Sequence, residues 1–187
     1  APIFTGILAH FFLEGEKMKK SIVLGFVCAM AGICLITFQK GETVELNPLG
    51  DFLGVAAAAI WGVYSICSRK IAGFGYDTII TTRRTFFYGI LFMLCALPFM
   101  DFHLSLSALL KPVNLGNIIY LGVGASAICF VTWNYAVKSL GATRASVYIY
   151  GIPVVTILMS IPLLHEVITF QAMAGTVLTL VGLLISE

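Results

Sequence analysis

Charged residues are scarce in this sequence. They make up 11% of its 187 residues, against about 25% in soluble domains, while hydrophobic residues reach 59%. A soluble chain of this length cannot enclose that much apolar surface, so the composition excludes a soluble globular domain and implies an integral membrane protein. Cysteine pairs are missing too. Cys28, Cys34, Cys67, Cys95 and Cys129 lie in or at the end of apolar runs and form no CxxC pair. They read as small packing residues rather than metal ligands or disulfides. No apolar run carries a pair of acids, a HExxH, a Ser/His/Asp set or a phosphate-cradling glycine loop. No catalytic residue, metal or cofactor is therefore assigned, the pattern argues against a membrane-embedded enzyme, and no proton or sodium site is visible. There is no basic arm or nucleic-acid motif, so the expected partner at this level is the lipid bilayer and not nucleic acid. The chain opens with Ala-Pro, without Met or a charged n-region, and its first apolar run, 1–13, is too short to span a bilayer. The expectation is a piece of a longer protein.

What is present is a series of apolar segments, roughly 1–13, 21–38, 50–67, 79–99, 115–137, 145–164 and 170–186. Their continuity and length predict helices, since barrel strands would alternate and be about half as long. Connections are short. Asn47-Pro48 marks a turn before the third segment, and the LSLSALL stretch in the 100–114 link suits a short interfacial turn.

The stretch from Trp133 to Ile185 organises the rest. Two apolar runs flank a polar hinge, His165–Thr169, with Pro153 and Pro162 inside the first run and Gly175 and Gly182 on one face of the second. Prolines of this kind are tolerated in membrane helices packed among neighbours, and glycines at that spacing suit close helix contact in lipid. The start of the chain repeats the pattern. Pro2 and Thr5 recur as Pro153 and Thr156 at an offset of 151, and Glu16, Gly25 and Gly32 recur as Glu166, Gly175 and Gly182 at an offset of 150. Five positions in order predict an internal repeat.

Lysine and arginine alternate between successive connections. Lys17, Lys19, Lys20, Arg69, Lys70, Arg83, Arg84, Lys138 and Arg144 fall on one side, and Lys40 and Lys111 on the other. Nine against two predicts that the first side, and the C-terminus with it, is cytoplasmic. The segments holding Pro2 and Pro153 are five spans apart, so the two copies run in opposite directions. Inverted repeats are a recurrent plan of secondary transporters.

The residues then resemble the drug/metabolite transporter superfamily, and within it the EamA-like domain. The resemblance rests on GDFLGVAAAAIWGVYSICSRK (50–70), the stretch 121–185 with its WNYAVKSLGATRAS core, and their counterpart 1–38, each second half carrying a proline, a glutamate and then two glycines. It implies an all-α membrane bundle of about seven spans, drawn from a ten-helix protein of two inverted five-helix repeats. Residues 1–40 would be the last two helices of the first repeat and 50–187 the complete second repeat, with about 100 residues upstream forming the missing half as a further partner. The implied activity is secondary transport of small metabolites, such as amino acids or drug-like compounds, by an exporter in the plasma membrane working through alternating access. A membrane scaffold or assembly subunit that does not transport is the alternative.

Several side chains are candidates for the substrate cavity. Trp61 and Tyr64 share a helix face, with Ser65 beside them, and read as a cavity wall or as packed or interfacial aromatics. Arg83 and Arg84 either snorkel to headgroups, as Arg69 and Lys70 are expected to, or one of them faces an inner vestibule. Asn134 either lines the cavity or hydrogen-bonds between helices, while Trp133 and Tyr135 read as belt residues. Tyr148, Tyr150, Pro153 and Thr156 surround an expected bend near the midplane, where transporter sites lie. Glu16 and Glu166 read as helix caps or gate latches, and His10 and His165 as interfacial.

Overall fold

The computed structural model describes residues 1–16, 18–37, 47–99, 106–164 and 169–186. Glu166 and His165, with most of the expected hinge, lie outside the described residues, as do Lys17 and Lys40. The described residues are helical, with no strand among them. The helices are α1 (Pro2–Phe12), α2 (Lys20–Thr37), α3 (Pro48–Gly73), α4 (Thr78–Ala96), α5 (Leu106–Leu109), α6 (Pro112–Ile119), α7 (Cys129–Leu140), α8 (Ala142–Val147), α9 (Ile152–Leu164) and α10 (Phe170–Ser186). A π-helical segment, Tyr120–Ile128, joins α6 to α7, and a 3-10 turn, Tyr148–Gly151, joins α8 to α9. Five stretches are long and apolar enough to cross a membrane: Lys20–Thr37, Pro48–Gly73, Thr78–Phe99, Pro112–Leu140 and Ala142–Leu163. Pro2–Phe12 and Phe170–Ser186 are apolar but shorter. This is a multi-pass, all-α membrane protein.

Local chemistry sets the helix boundaries. Pro48 opens α3, where its missing N–H costs nothing, and Asn47 Oδ1 accepts from Gly50 N at 3.2 Å. Asp77 caps α4, accepting from Ile79 N at 2.9 Å and Ile80 N at 3.0 Å. Pro153 lies in the first turn of α9, directly after the 3-10 turn. It brings no N–H to the upstream carbonyls, and the chain tightens there rather than continuing as one α-helix.

The chain divides into two compact units, Ala1–Cys67 with Leu140–Glu187, and Ser68–Ser139. In the first unit, α2 and α10 form the most extensive helix contact. Gly25, Ala29 and Gly32 are buried on α2, and Gly175, Thr179, Gly182 and Ser186 on α10. There is no room for side chains at the four glycines. A Cβ on Gly182 would stand 2.7 Å from Gly25 O, one on Gly175 2.7 Å from Gly32 O, and one on Gly32 2.6 Å from Gly175 O. A Cβ on Gly25 would collide with the Ser186 hydroxyl and Gly182 O. The contacts are reciprocal under the offset of 150. Gly25 meets 182 and 186 as Gly175 meets 32 and 36, and Gly32 meets 175 and 179 as Gly182 meets 25 and 29. Beside this contact, Tyr150, Val147 and Ala29 are buried together, flanked by Phe26, Ile33 and Leu183.

In the second unit, Phe86 of α4 and Phe130 of α7 stack edge to face with centroids 5.1 Å apart. The packing expected of the cysteines holds for Cys28 alone, whose thiol is half-buried and donates to Leu178 O at 3.6 Å. Cys34, Cys67, Cys95 and Cys129 are exposed.

Candidate functional site

In the first unit, the broken span from α8 to α9 presents a groove of about 650 Å³. Tyr148, Gly151, Val155, Thr156, Met159 and Ser160 are among its lining residues, and their three- and four-residue spacing marks one helical face. Thr156 donates to Ile152 O at 3.0 Å and Ser160 to Ile157 O at 2.9 Å, so both hydroxyls are satisfied within their own helix. The groove is therefore apolar in character, with the Tyr148 phenol at one end. The 3-10 turn sorts the two tyrosines. Tyr148 is exposed in the groove, whereas Tyr150 points into the core, its ring centroid 6.3 Å from that of Phe26. Pro153 is half-buried beside the groove.

Trp61 and Tyr64, both half-buried on α3, lie with ring centroids 5.6 Å apart. Ser65 is fully buried and donates back to Trp61 O at 3.0 Å. This face of α3 approaches α1 closely, because a Cβ on Gly62 would stand 3.2 Å from Thr5 N.

Glu16 binds a helix distant in sequence. Its carboxylate accepts from Ala142 N at 3.1 Å and from Thr143 N at 2.9 Å, the first two amides of α8. Gly141 precedes them at φ +90°, a left-handed conformation that favours glycine, and a Cβ there would stand 2.6 Å from Glu16 Oε1. The sequence placed Glu16 at a helix end; it gave no sign that the helix it caps begins 126 residues later.

In the second unit, Asn134 is buried between three helices. Ser68 of α3 donates to its Oδ1 at 2.6 Å, its Nδ2 donates to Thr82 Oγ1 of α4 at 2.9 Å, and Thr82 donates to Thr78 O at 2.7 Å. Of the two roles open to Asn134, the geometry shows interhelical hydrogen bonding. Ser68 and Thr82 escaped the sequence reading, although each lies within about two turns of a helix end, as Asn134 does. Arg69 donates to Lys138 O at 2.6 Å and Val137 O at 3.4 Å, where the last turn of α7 has carbonyls without helical partners. Lys138 in turn donates to Tyr76 O at 3.2 Å. Arg83 and Arg84 are exposed on α4, as are Tyr135 on α7 and His10 on α1, and Trp133 is half-buried.

Known proteins extend this description. The chain resembles uncharacterized transporter YyaM of Bacillus subtilis, 28% identical over 98% of this chain and 60% of that protein. An uncharacterized transporter of Archaeoglobus fulgidus is 31% identical over 99% of this chain and 63% of its own length. A probable terminal-alkyne amino-acid exporter of Streptantibioticus cattleyicolor is 28% identical over 99% of this chain and 60% of its own. The chain thus spans about 60% of the length of these relatives. A crystal structure superposes on the whole chain and on 62% of its own with a TM-score of 0.76 at 22% identity, so the fold is shared. The profile of the EamA-like transporter family matches residues 48–186, and the chain belongs to that family.

Proposed function

We propose that the protein is a secondary transporter that exports small metabolites, such as amino acids or drug-like compounds, across the plasma membrane by alternating access. The observation that carries this reading is the reciprocal contact of α2 and α10. Two antiparallel helices whose contacts exchange under a fixed offset are related by a two-fold axis perpendicular to them, which for spanning helices lies in the membrane plane. Two structurally matched halves of opposite orientation are a plan that lets inward-open and outward-open states interchange. Family membership supports transport over catalysis, and the amino-acid exporter among the relatives supports the substrate range and direction. The substrate-facing surface in this reading is the groove of α9, whose size suits a small organic molecule and whose walls favour an apolar moiety. The uneven lysine and arginine distribution supports a cytoplasmic C-terminus. The relatives' greater length supports a cavity completed by further helices of the same protein.

The test is solute flux. Full-length protein in proteoliposomes is given a panel of radiolabelled amino acids and small amphipathic compounds, with protein-free liposomes as control. Saturable exchange of at least one solute is expected. Absence of flux across the panel from folded protein would favour a scaffold that does not transport.

A further inference from the structure

We propose that Glu16 and the turn Gly141–Thr143 form a gate, closed in this structure, that governs access along the cytoplasmic end of α8. This inference rests on the transport reading and adds a positioning residue to it, one that acts outside the groove.

Three observations lead there. The first is the clasp. One carboxylate takes both leading amides of α8, and the left-handed Gly141 leaves just enough space for it. Hydrogen bonds from backbone N–H to an ionised acceptor are among the stronger ones, and the charge complements the helix end. The second is the surface that the clasp closes. Pro2, Thr5, Gly6 and Ala9 are buried on α1, and Ala142, Thr143, Ala145, Ser146 and Val147 on α8. The two helices are in contact. Most of these side chains are small, and they bring little dispersion energy to the contact. Ser146 donates to Thr143 O in its own helix rather than across to α1. The third is a defect. Thr143 Oγ1 is buried with no hydrogen-bond partner among the described residues. A buried, unmet hydroxyl destabilises the state that buries it, and opening α8 to water would relieve it.

Together these describe a helix whose first turn lies on small side chains of α1, carries an unmet hydroxyl and is tied there by the Glu16 carboxylate, while Val147 at its other end packs with Ala29 and Tyr150. Beyond Val147 comes the 3-10 turn Tyr148–Gly151, where the α-helical hydrogen-bond ladder is already interrupted. The α2–α10 contact of the same unit is the opposite case, interlocked along its length. Loss of the clasp frees the first turn of α8 from α1 and leaves Val147 and the α2–α10 contact in place.

The experiment needs no known substrate. In full-length protein, Cys34, Cys67, Cys95 and Cys129 are replaced, Cys28 is kept as an internal reference, and Ser146→Cys provides the probe. Ser146 is fully buried, and Cys28 reports on the α2–α10 contact. A membrane-impermeant maleimide is added to either face of sealed vesicles, and modification of each cysteine is followed by mass spectrometry. Glu16→Gln keeps the shape of the side chain but leaves one amide facing an NH₂ group. Gly141→Ala disturbs the clasp without altering the carboxylate. Each is expected to raise the labelling rate at position 146 by about tenfold from the cytoplasmic face, as for loss of a strong helix cap, with Cys28 unchanged. An unchanged rate at 146 in both variants would overturn the proposal. So would a parallel rise at Cys28, which would show general loosening. A variant that does not fold is replaced by Glu16→Asp, whose shorter reach should give a smaller rise at 146 alone; no rise there would equally overturn the proposal. Flux is read separately: if α8 opens as described while no solute moves, the transport reading fails and the gate stands.

Discussion

The α2–α10 pair and the α3–α4–α7 cluster meet the same difficulty in different ways. Lipid is as apolar as leucine, so burying leucine between helices gains little, and something else must hold spans together. α2 and α10 remove side chains until backbone meets backbone, at Gly25, Gly32, Gly175 and Gly182. α3, α4 and α7 keep their distance and reach across with Ser68, Asn134 and Thr82. The first solution depends on fit and fails abruptly when anything is added. The second depends on a few directional bonds, and removing a member leaves its neighbours able to find other partners.

The largest effect should come from filling the glycine contact. Gly182→Leu places a side chain against Ala29 N and Gly25 O, which are backbone and cannot swing aside. A loss of more than about 3 kcal/mol is expected, seen as collapse of the monodisperse peak in detergent chromatography. Gly89→Leu on α4, where a Cβ meets nothing within 4 Å, should leave that peak intact. Equal behaviour of the two variants would erase the distinction between a steric contact and an ordinary helix surface.

Removing the polar bridge should cost less. Asn134→Leu loses both interhelical bonds, with a loss of about 1–2 kcal/mol in thermal unfolding. Coupling between Asn134→Leu and Ser68→Ala in a double-mutant cycle should be about 0.6 kcal/mol and below about 1.7. Coupling near zero would mean that the three helices are held by packing alone.

Thr156→Val should do least to stability, within about 0.5 kcal/mol, because that hydroxyl bonds only its own helix. Its effect should appear instead as an altered apparent affinity for whichever solute is transported. Sidedness gives a further check without a stability change. A cysteine at Phe74, between α3 and α4, should resist an impermeant thiol reagent in intact cells, and one at Leu110 should react; the reverse would invert the topology.

The same contrast explains what could be read from the sequence. The glycines were legible because a spacing of seven needs only helical geometry, and the offset of 150 singled out all four. Asn134 was legible as a polar residue at depth, but its partners were not, since which hydroxyl faces it depends on how three helices are placed. Tyr148 and Tyr150 looked equivalent, and the 3-10 turn between α8 and α9 separates them into groove and core. Arg69 was legible as a cation near a helix end, but the carbonyls of α7 that it binds were not, since sequence gives its depth and not its direction. Glu16 showed the same limit, with its role set by a turn far along the chain.

The glycine contact also has a consequence for biogenesis. α2 ends at Thr37 and α10 begins at Phe170, so roughly 130 residues are synthesised between them. At 5–20 residues per second that interval is on the order of ten seconds. Throughout it, the groove cut into α2 by Gly25 and Gly32 waits in the bilayer without its native cover. Arrival of α10 closes it, and the glycine face of α2 is covered from then on. A polypeptide stopped ahead of Phe170 would display permanently the face that a normal one shows only in passing, and the surveillance machinery of the membrane would have a fixed target on α2.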